Sequence, residues 1–219
     1  MRSTDDLIGR LAADARPVRR PPPPWRRTLR WLGLVLAVLA LSIAGHGLRP
    51  DLAGLPSRPW ELAEIGLALA TGLAAALAVF HVALPGRSSR WAWLPLPFAA
   101  AWISTLGLGC LGEWRTLGES ALALHLDPEC ARAIALTSLP VGLVLLLMVR
   151  HAGPVRPVAT AALVALAASA LSSAGVSLSH SGETALMVLL WHAGAVASLC
   201  LGSAVLGRRL FAWIGPGTP

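Results

Sequence analysis

The sequence contains no lysine and no tyrosine, and only 13% of its 219 residues are charged. Soluble domains carry about one quarter charged residues, so this shortage argues against a soluble globular protein. Strands are not indicated either, because no stretch alternates apolar and polar residues with a period of two. Apolar sequence is abundant instead: 55% of the residues are hydrophobic and the mean hydropathy is +0.66. The composition is typical of an all-α membrane protein.

The sequence also lacks the common patterns of catalytic sites. It has no Gly-rich phosphate loop, no nucleophile elbow, no paired carboxylates inside an apolar stretch and no HExxH motif. We therefore expect that the protein is not an enzyme. A small polytopic membrane enzyme or transporter, or a structural subunit of a membrane complex, is kept as the alternative.

Six apolar stretches approach the length of about 20 residues that crosses a bilayer. They cover residues 29–48, 60–84, 91–112, 131–149, 157–178 and 184–206. Without water, such stretches satisfy their backbone groups as helices. The sequence therefore predicts a six-helix transmembrane domain over residues 25–214, preceded by an N-terminal segment, 1–24, and followed by a tail, 215–219. The first stretch is too long, and begins too late, for a cleaved signal peptide.

Arginine is distributed unevenly between the two ends of these stretches. Fourteen of the 18 arginines fall on the side of the N-terminus and four on the other, Arg49, Arg58, Arg115 and Arg132. Short cytoplasmic loops carry the excess of basic residues, so we predict that both termini are cytoplasmic. Seven tryptophans near the predicted interfaces are candidates for an aromatic belt: Trp25, Trp31, Trp60, Trp91, Trp93, Trp114 and Trp213.

Small residues at four-residue spacing predict where the helices pack, because helices in lipid associate through close backbone approach. The second stretch offers Ala68, Gly72 and Ala76, and the fifth offers Ala165, Ser169 and Ser173. His192 lies near the middle of the last stretch. It is interpreted as hydrogen-bonded between helices, with a ligand or proton-relay role as the alternative.

The N-terminal segment has the pattern of a short amphipathic helix. Thr4 is a candidate N-cap, and two carboxylates, Asp5 and Asp6, follow in the first turn, where the helix dipole favours them. Apolar side chains at Leu7, Ile8 and Leu11 share one face. Such a short helix is marginal alone in water, so its apolar face is expected to fold against something.

Prolines follow this helix. Pro17 is expected to end it, after Arg16, and Pro21–Pro24 to form a stiff extended spacer. Three occupants of the apolar face are considered: the membrane surface, the protein's own loops and a partner protein. Anionic lipid would repel Asp5, Asp6 and Asp14, which favours a protein partner.

Several motifs, in order along nearly the whole chain, resemble one known family. They include "TDDLIGRLAAD", "GHGLRPDL", "PGRSSRWAWLPLP" and "ETALMVLLWHAGAV". The chain resembles the NrsF-type bacterial membrane anti-sigma factors, which have six spans. The resemblance implies an inner-membrane protein whose cytoplasmic N-terminal helix binds an extracytoplasmic-function sigma factor and keeps it from core RNA polymerase. It implies that Asp5, Asp6, Leu7, Ile8 and Leu11 make this contact, without a cofactor and without direct binding of nucleic acid.

Two of the three cysteines are predicted at the outer side. Cys110 and Cys130 are sensor candidates in an oxidising compartment, and Cys200 is expected to be a buried small apolar residue. Cys130 matches one of two signature cysteines of the family, but Ser181 stands where the other would be. Three states of Cys110 and Cys130 stay open: a structural disulfide, free thiols or a sensor. A soft metal held by these cysteines with His125 and His180 is also considered.

Overall fold

The computed structural model describes residues 3–14, 21–122, 129–150, 155–179 and 184–214, and these residues contain helices and turns but no strand. The helices are α1 (Thr4–Ala13), α2 (Pro24–His46), α3 (Pro59–Val82), α4 (Leu96–Leu117), α5 (Glu129–Arg150), α6 (Pro157–Ser177), α7 (Ala185–Val188) and α8 (Gly194–Ile214). A single π-helical turn, Leu189–Ala193, joins α7 to α8 without a break. Short 3₁₀ helices cover Leu52–Ser57, Ser89–Trp93 and Gly118–Leu122.

Six helical segments of the described chain are long and apolar enough to cross a membrane. They are Pro24–His46, Pro59–Val82, Ser89–Leu122, Cys130–Arg150, Pro157–Ser177 and Ala185–Ala212. The predicted all-α class and the six-helix bundle are therefore confirmed. The tail, 215–219, lies outside the described residues.

The starts of the helices follow from proline. Proline stands at one of the first two positions of α2, α3, α4 and α6. Its missing N–H is not needed there, and its fixed φ suits the first turn. α4 begins at Leu96 rather than near residue 91, because Ser88 Oγ accepts a hydrogen bond from the Arg90 N–H and starts the 3₁₀ helix Ser89–Trp93 first.

α6 lies at the centre of the bundle. Fourteen of its 21 residues are buried, whereas α2, at the periphery, buries only four of its 23. α6 packs against α2, α3, α5 and α8, while α4 packs on α3 and α7. Small side chains such as Ala167, Ala170 and Ala174 cover α6. They let the neighbouring backbones come close on several sides.

Glycines mark the closest approaches to α6. A Cβ atom added to Gly72 of α3 would lie 2.6 Å from Leu171 Cγ and 3.2 Å from the Ala167 carbonyl oxygen. One added to Gly207 of α8 would lie 2.9 Å from Val158 Cα. Only hydrogen fits at these two points, so α3 and α8 owe their positions against α6 to glycine.

The two predicted small-residue stripes differ in outcome. Ala68, Gly72 and Ala76 are all buried, and Gly72 packs on α6 as the spacing predicts. On α6, Ser169 and Ser173 are buried but Ala165 is only partly so. Ser173 Oγ shares a 2.9 Å hydrogen bond with His192 Nδ1, so this end of the stripe faces the π-helical turn. The interpretation of His192 as hydrogen-bonded between helices is confirmed.

Both ends of the transmembrane domain lie on one face of the bundle, here called the N-terminal face. The start of α2 is tied to this face by Arg27, whose guanidinium donates to the Met148 carbonyl of α5 and lies 4.4 Å from the centre of the Phe80 ring of α3. Near the other end, Gly207 of α8 packs on Val158 at the start of α6. The loop after α2 and the ends of α4 and α6 lie on the opposite face.

The tryptophans divide into two groups. Trp31, predicted at an interface, is in the core: it is 1% exposed, and its Nε1–H donates to the Val141 carbonyl oxygen over 3.0 Å. A buried indole needs such a partner, and α5 supplies it. Trp91 is partly buried and stacks on His81 with ring centroids 3.8 Å apart. The exposed ones at helix ends are Trp25, Trp60, Trp93 and Trp114. The side chain of Trp213 lies outside the described residues.

The contact at Gly72 gives a test of the packing. We expect Gly72→Ala to lower the free energy of unfolding by about 1–3 kcal/mol, because the added methyl overlaps Leu171 and a backbone oxygen that cannot move away cheaply. Gly66→Ala, also on α3, is the matched control, because a Cβ there meets no atom within 4 Å. It should be neutral or stabilise by up to about 1 kcal/mol through helix propensity. Unfolding of both variants in mixed micelles, followed by circular dichroism, measures the difference, and equal effects would contradict the packing described.

Candidate functional site

The first candidate site is α1, which is exposed along its whole length. Its ten residues form no buried surface, and Leu7, Ile8 and Leu11 are 57%, 58% and 64% exposed. Asp5 and Asp6 stand in the first turn, as predicted. The structure thus brings all five predicted contact residues onto one short helix.

The N-cap of α1 is Ser3 and not Thr4. Ser3 Oγ accepts a hydrogen bond from the Asp5 N–H over 3.2 Å, and Thr4 is already helical. Serine and threonine are both favoured at the N-cap, serine somewhat more, so residue type alone does not fix which of two neighbours is the cap. The spacer is also shorter than predicted, because Pro24 begins α2. Arg16 and Pro17 lie outside the described residues.

No described residue covers the apolar face of α1. Three large apolar side chains exposed side by side on one helix turn and a half are unlike the scattered exposed residues of an ordinary surface. Packing of this face on the protein's own loops is therefore not found among the described residues.

The second candidate site is a cluster of four paired charges on the opposite face. Arg49 Nε lies 2.7 Å from Asp51 Oδ1, and Arg49 Nη2 lies 2.8 Å from Glu61 Oε2. Arg58 contacts the same two carboxylates, with its Nη2 2.6 Å from Asp51 Oδ2 and its Nη1 2.9 Å from Glu61 Oε1. Arg49 is buried. Its backbone N–H also donates to the carbonyl of Leu178, the residue that follows α6. The cluster fastens the loop after α2 to α3 and α6.

The electrostatics of this cluster follow from its hydrogen bonds. Those from Arg49, and then those from Arg58, hold the pKa of the Asp51 carboxyl well below its usual range. The hydrogen bonds that Arg49 donates to Asp51 are the largest cause of the raised pKa of Arg49, and the one that Arg58 donates to Asp51 raises the pKa of Arg58. Asp51 and both arginines are therefore charged at neutral pH, and Glu61 completes the cluster through its ion pairs with Arg49 and Arg58.

A cavity of about 880 Å³ lies beside this cluster, between α3, α4 and the π-helical turn. Glu113 of α4 lines it and accepts a hydrogen bond from the Ala185 N–H, over 2.8 Å, at the start of α7. A carboxylate stabilises a helix at this end, where N–H groups lack partners. Glu64 and His192 also line the cavity. Glu113 thus holds the end of α4 to the start of α7.

The two sensor candidates lie in different surroundings. Cys130 is 1% exposed in a small apolar cluster with Ile134 and Val176, against which Trp191 packs. Cys110 is partly exposed on α4, one turn before Glu113. No disulfide joins the three cysteines. Cys200 is partly buried and packs on apolar neighbours, in line with its interpretation as a small apolar residue.

The metal alternative is not supported by the described part of the chain, where no three His, Cys, Asp or Glu side chains come close enough to hold an ion. The two histidines proposed for it, His125 and His180, lie outside the described residues, as does Ser181.

Sequence reasoning missed the charge cluster and the roles of Glu64 and Glu113. The spacing of Arg58 and Glu61, three residues apart at a helix start, is a usable signal for one pair. The contacts of Arg49 with α6 and of Glu113 with α7 carry no such signal, since they join residues far apart in the chain.

The depressed pKa of Asp51 makes stability depend on pH. Its stabilisation is fully present well above the unfolded value of about 3.9, begins to weaken below about pH 5 and is lost as pH falls towards the lower folded pKa. We expect the melting temperature of the wild type to fall between pH 6 and pH 3, and Asp51→Asn to lower it at pH 7 and flatten that fall. The control is Glu119→Gln, on the same face but outside the cluster. If Asp51→Asn keeps the wild-type dependence on pH, the cluster is not the cause.

Comparison with known proteins identifies the family to which the chain belongs. The profile of NrsF, described as negative regulator of sigma F, matches residues 11–213. The curated "Anti-sigma-F factor NrsF" of Caulobacter vibrioides (strain NA1000 / CB15N) is 29% identical over 216 residues, which cover 96% of this chain and 99% of that protein. No solved structure matches the chain. The profile match spans all six transmembrane segments and begins within α1, and on this evidence the chain belongs to the NrsF family of negative regulators of sigma F.

Proposed function

We propose that this protein sequesters an extracytoplasmic-function sigma factor at the inner membrane through α1 and releases it in response to a signal at the opposite face. Membership of a family of anti-sigma factors supports a sigma factor as the partner and a regulatory rather than enzymatic role. The observation that carries the proposal is the uncovered apolar face of α1.

The apolar face supplies the affinity. Full burial of a leucine or isoleucine side chain contributes about 1.5–3 kcal/mol. Leu7, Ile8 and Leu11 expose more than half of their surface, so a groove that covers all three gains a useful fraction of this. A helix laid into an apolar groove with anchors at i, i+1 and i+4 is a common mode of peptide recognition.

The carboxylates favour this partner over the lipid surface. Asp5, Asp6 and Asp14 give α1 an acidic character that anionic headgroups repel. A sigma factor binds DNA and therefore carries basic surfaces, to which Asp5 and Asp6 are complementary. Complementary charges of this kind speed encounter and fix orientation more than they add affinity.

The orientation rests on arginine. The N-terminal face holds the arginines of the loops after α3 and α5, and Arg156 Nη1 donates to the Arg87 carbonyl there over 3.2 Å. With both ends of the bundle on this face, the excess of basic residues favours a cytoplasmic location for it. In that orientation α1 is in the compartment of the sigma factor.

A route for the signal runs along α5. Cys130 lies in its first turn at the opposite face, and Met148 near its other end accepts the hydrogen bond of Arg27 at the start of α2, just after the spacer. Oxidation or ligation at Cys110 or Cys130 would act on the packing at the outer end of α4 or α5. Release requires that the sigma factor bind α1 differently in two states of the bundle.

The contact face can be tested by moving charge onto it. We expect Leu7→Asp with Leu11→Asp to abolish co-purification of an extracytoplasmic-function sigma factor co-expressed with the protein, since burial of two carboxylates in an apolar groove costs several kcal/mol. The full chain in detergent is used, with pull-down as the measurement.

A matched double change controls for added charge. Gly9→Asp with Ala13→Asp places the same two carboxylates, also four residues apart, on the other side of α1. This control should retain at least half of the bound sigma factor. Equal binding by both double variants would contradict the assignment of Leu7, Ile8 and Leu11 to the contact face.

The orientation has its own test. A short tag fused before Met1 and, separately, after Pro219 should be inaccessible to an impermeant label in cells with a permeabilised outer membrane, and both should react once the inner membrane is opened. A tag between Ser57 and Arg58 serves as the accessible control. Labelling of the Met1 tag in closed cells would end the proposal, because α1 could not reach a sigma factor.

A further inference from the structure

The cavity beside the charge cluster has the dimensions of a small-molecule site. Its volume is about 880 Å³, and such sites generally enclose about 300–1,000 Å³. Apolar side chains form much of its wall, among them Ile65, Leu106, Leu111 and Val188. Polar and charged side chains form the rest of the wall, among them Glu64, Glu113, Thr105 and His192.

Two of the three arginines that line the cavity, Arg49 and Arg58, are paired with carboxylates. Arg49 donates to Asp51, to Glu61 and, over 3.4 Å, to the Ser177 carbonyl, and Arg58 donates to the same two carboxylates. These two positive and two negative charges cancel at short range. Arg115 also lines the cavity but is exposed, where water and salt screen its charge.

Glu64 is different from these groups. It lies one turn further into α3 than Glu61, is partly buried and lines the cavity next to Ile65. It forms no hydrogen bond or ion pair with any described residue, and the buried Leu106 lines the same cavity. A carboxylate in apolar surroundings without a partner is costly unless it takes up a proton or a cation.

We propose that this cavity binds a small organic cation, an amine or quaternary ammonium with an apolar body, whose charged group lies at Glu64. The apolar body fits against the leucine and valine side chains of α4 and α7. Trp60, at the mouth, offers an indole face that a cation can contact. This claim concerns binding alone and does not depend on sigma-factor sequestration.

The chemistry favours an organic cation over a metal ion. Among the described residues, no three possible ligands converge, so Glu64 and Glu113 alone would leave an ion largely unligated. A cavity of this size would also leave a bare ion far from most of its walls. An anion is disfavoured, because the uncommitted charge inside the cavity is negative.

Binding of benzyltrimethylammonium to the full chain tests the proposal. In nanodiscs of phosphatidylglycerol, which has no ammonium group, isothermal titration should show saturable binding that neopentylbenzene, its neutral isostere, does not compete away. Glu64→Gln should weaken this binding by at least roughly tenfold, because it removes the opposite charge and keeps the shape. Glu119→Gln, outside the cavity on the same face, should stay within about twofold of the wild type.

A second variant guards against indirect effects of Glu64→Gln on folding. Gly112 lines the cavity, and a Cβ added there meets no atom within 4 Å, so a larger side chain can begin there, and we expect Gly112→Phe to occupy part of the cavity. It should abolish binding while melting temperature stays unchanged. Wild-type affinity in either variant, or tighter binding of benzenesulfonate than of the cation, would overturn the proposal.

The same experiment separates two sources of the cation. If nanodiscs with phosphatidylethanolamine weaken binding of the probe by competition, the natural occupant is a lipid headgroup. If they leave it unchanged, the occupant is a free organic cation.

Discussion

The whole bundle depends on how closely backbones can approach α6. Lipid offers no hydrophobic drive for helices to associate, so van der Waals packing must hold them. Gly72 of α3 and Gly207 of α8 give α6 neighbours at distances that no side chain would allow. α2 contacts α6 through Leu39, which lies where a Cβ of Gly175 would be. These contacts fix α2, α3 and α8 relative to α6, and so fix where the helix ends lie on the two faces of the bundle.

The two ends of α6 make contacts at the two faces of the bundle, and the electrostatics of these faces differ. At its start, Arg156 bonds the Arg87 carbonyl on a face rich in arginine. At its end, the Leu178 carbonyl accepts from Arg49, whose charge is neutralised by Asp51 and Glu61. The N-terminal face is therefore rich in arginine, as the sequence pattern indicates. On the other face, Arg49 and Arg58 are paired with carboxylates, and Glu64 lies beside a cavity.

The pattern of the sequence predicted more of the fold than of the sites. Hydropathy gave six helices with boundaries that differ from the observed ones by up to eight residues. The end of α8, at Ile214, lies eight residues beyond the predicted 206, and α4 begins at Leu96 rather than at 91 because the cap at Ser88 starts a 3₁₀ helix first. The spacing of small residues predicted the contact at Gly72, and the spacing of apolar residues predicted the apolar face of α1. The sequence pattern placed Trp31 at an interface, since a tryptophan near a helix end looks the same whether lipid or α5 surrounds it. It missed Glu64, because a carboxylate near the start of a span ordinarily meets water.

The sequence by itself determined the class, the six spans, the arginine asymmetry and the amphipathic α1, because each depends on residues close together in the chain and on the length scale of a bilayer. Only the tertiary structure decided which helix is central, that Arg49 joins Glu61 and α6, and that Glu113 meets the start of α7. These are contacts between distant residues. Their partners are chosen by how six helices fit together, and no local pattern records that choice.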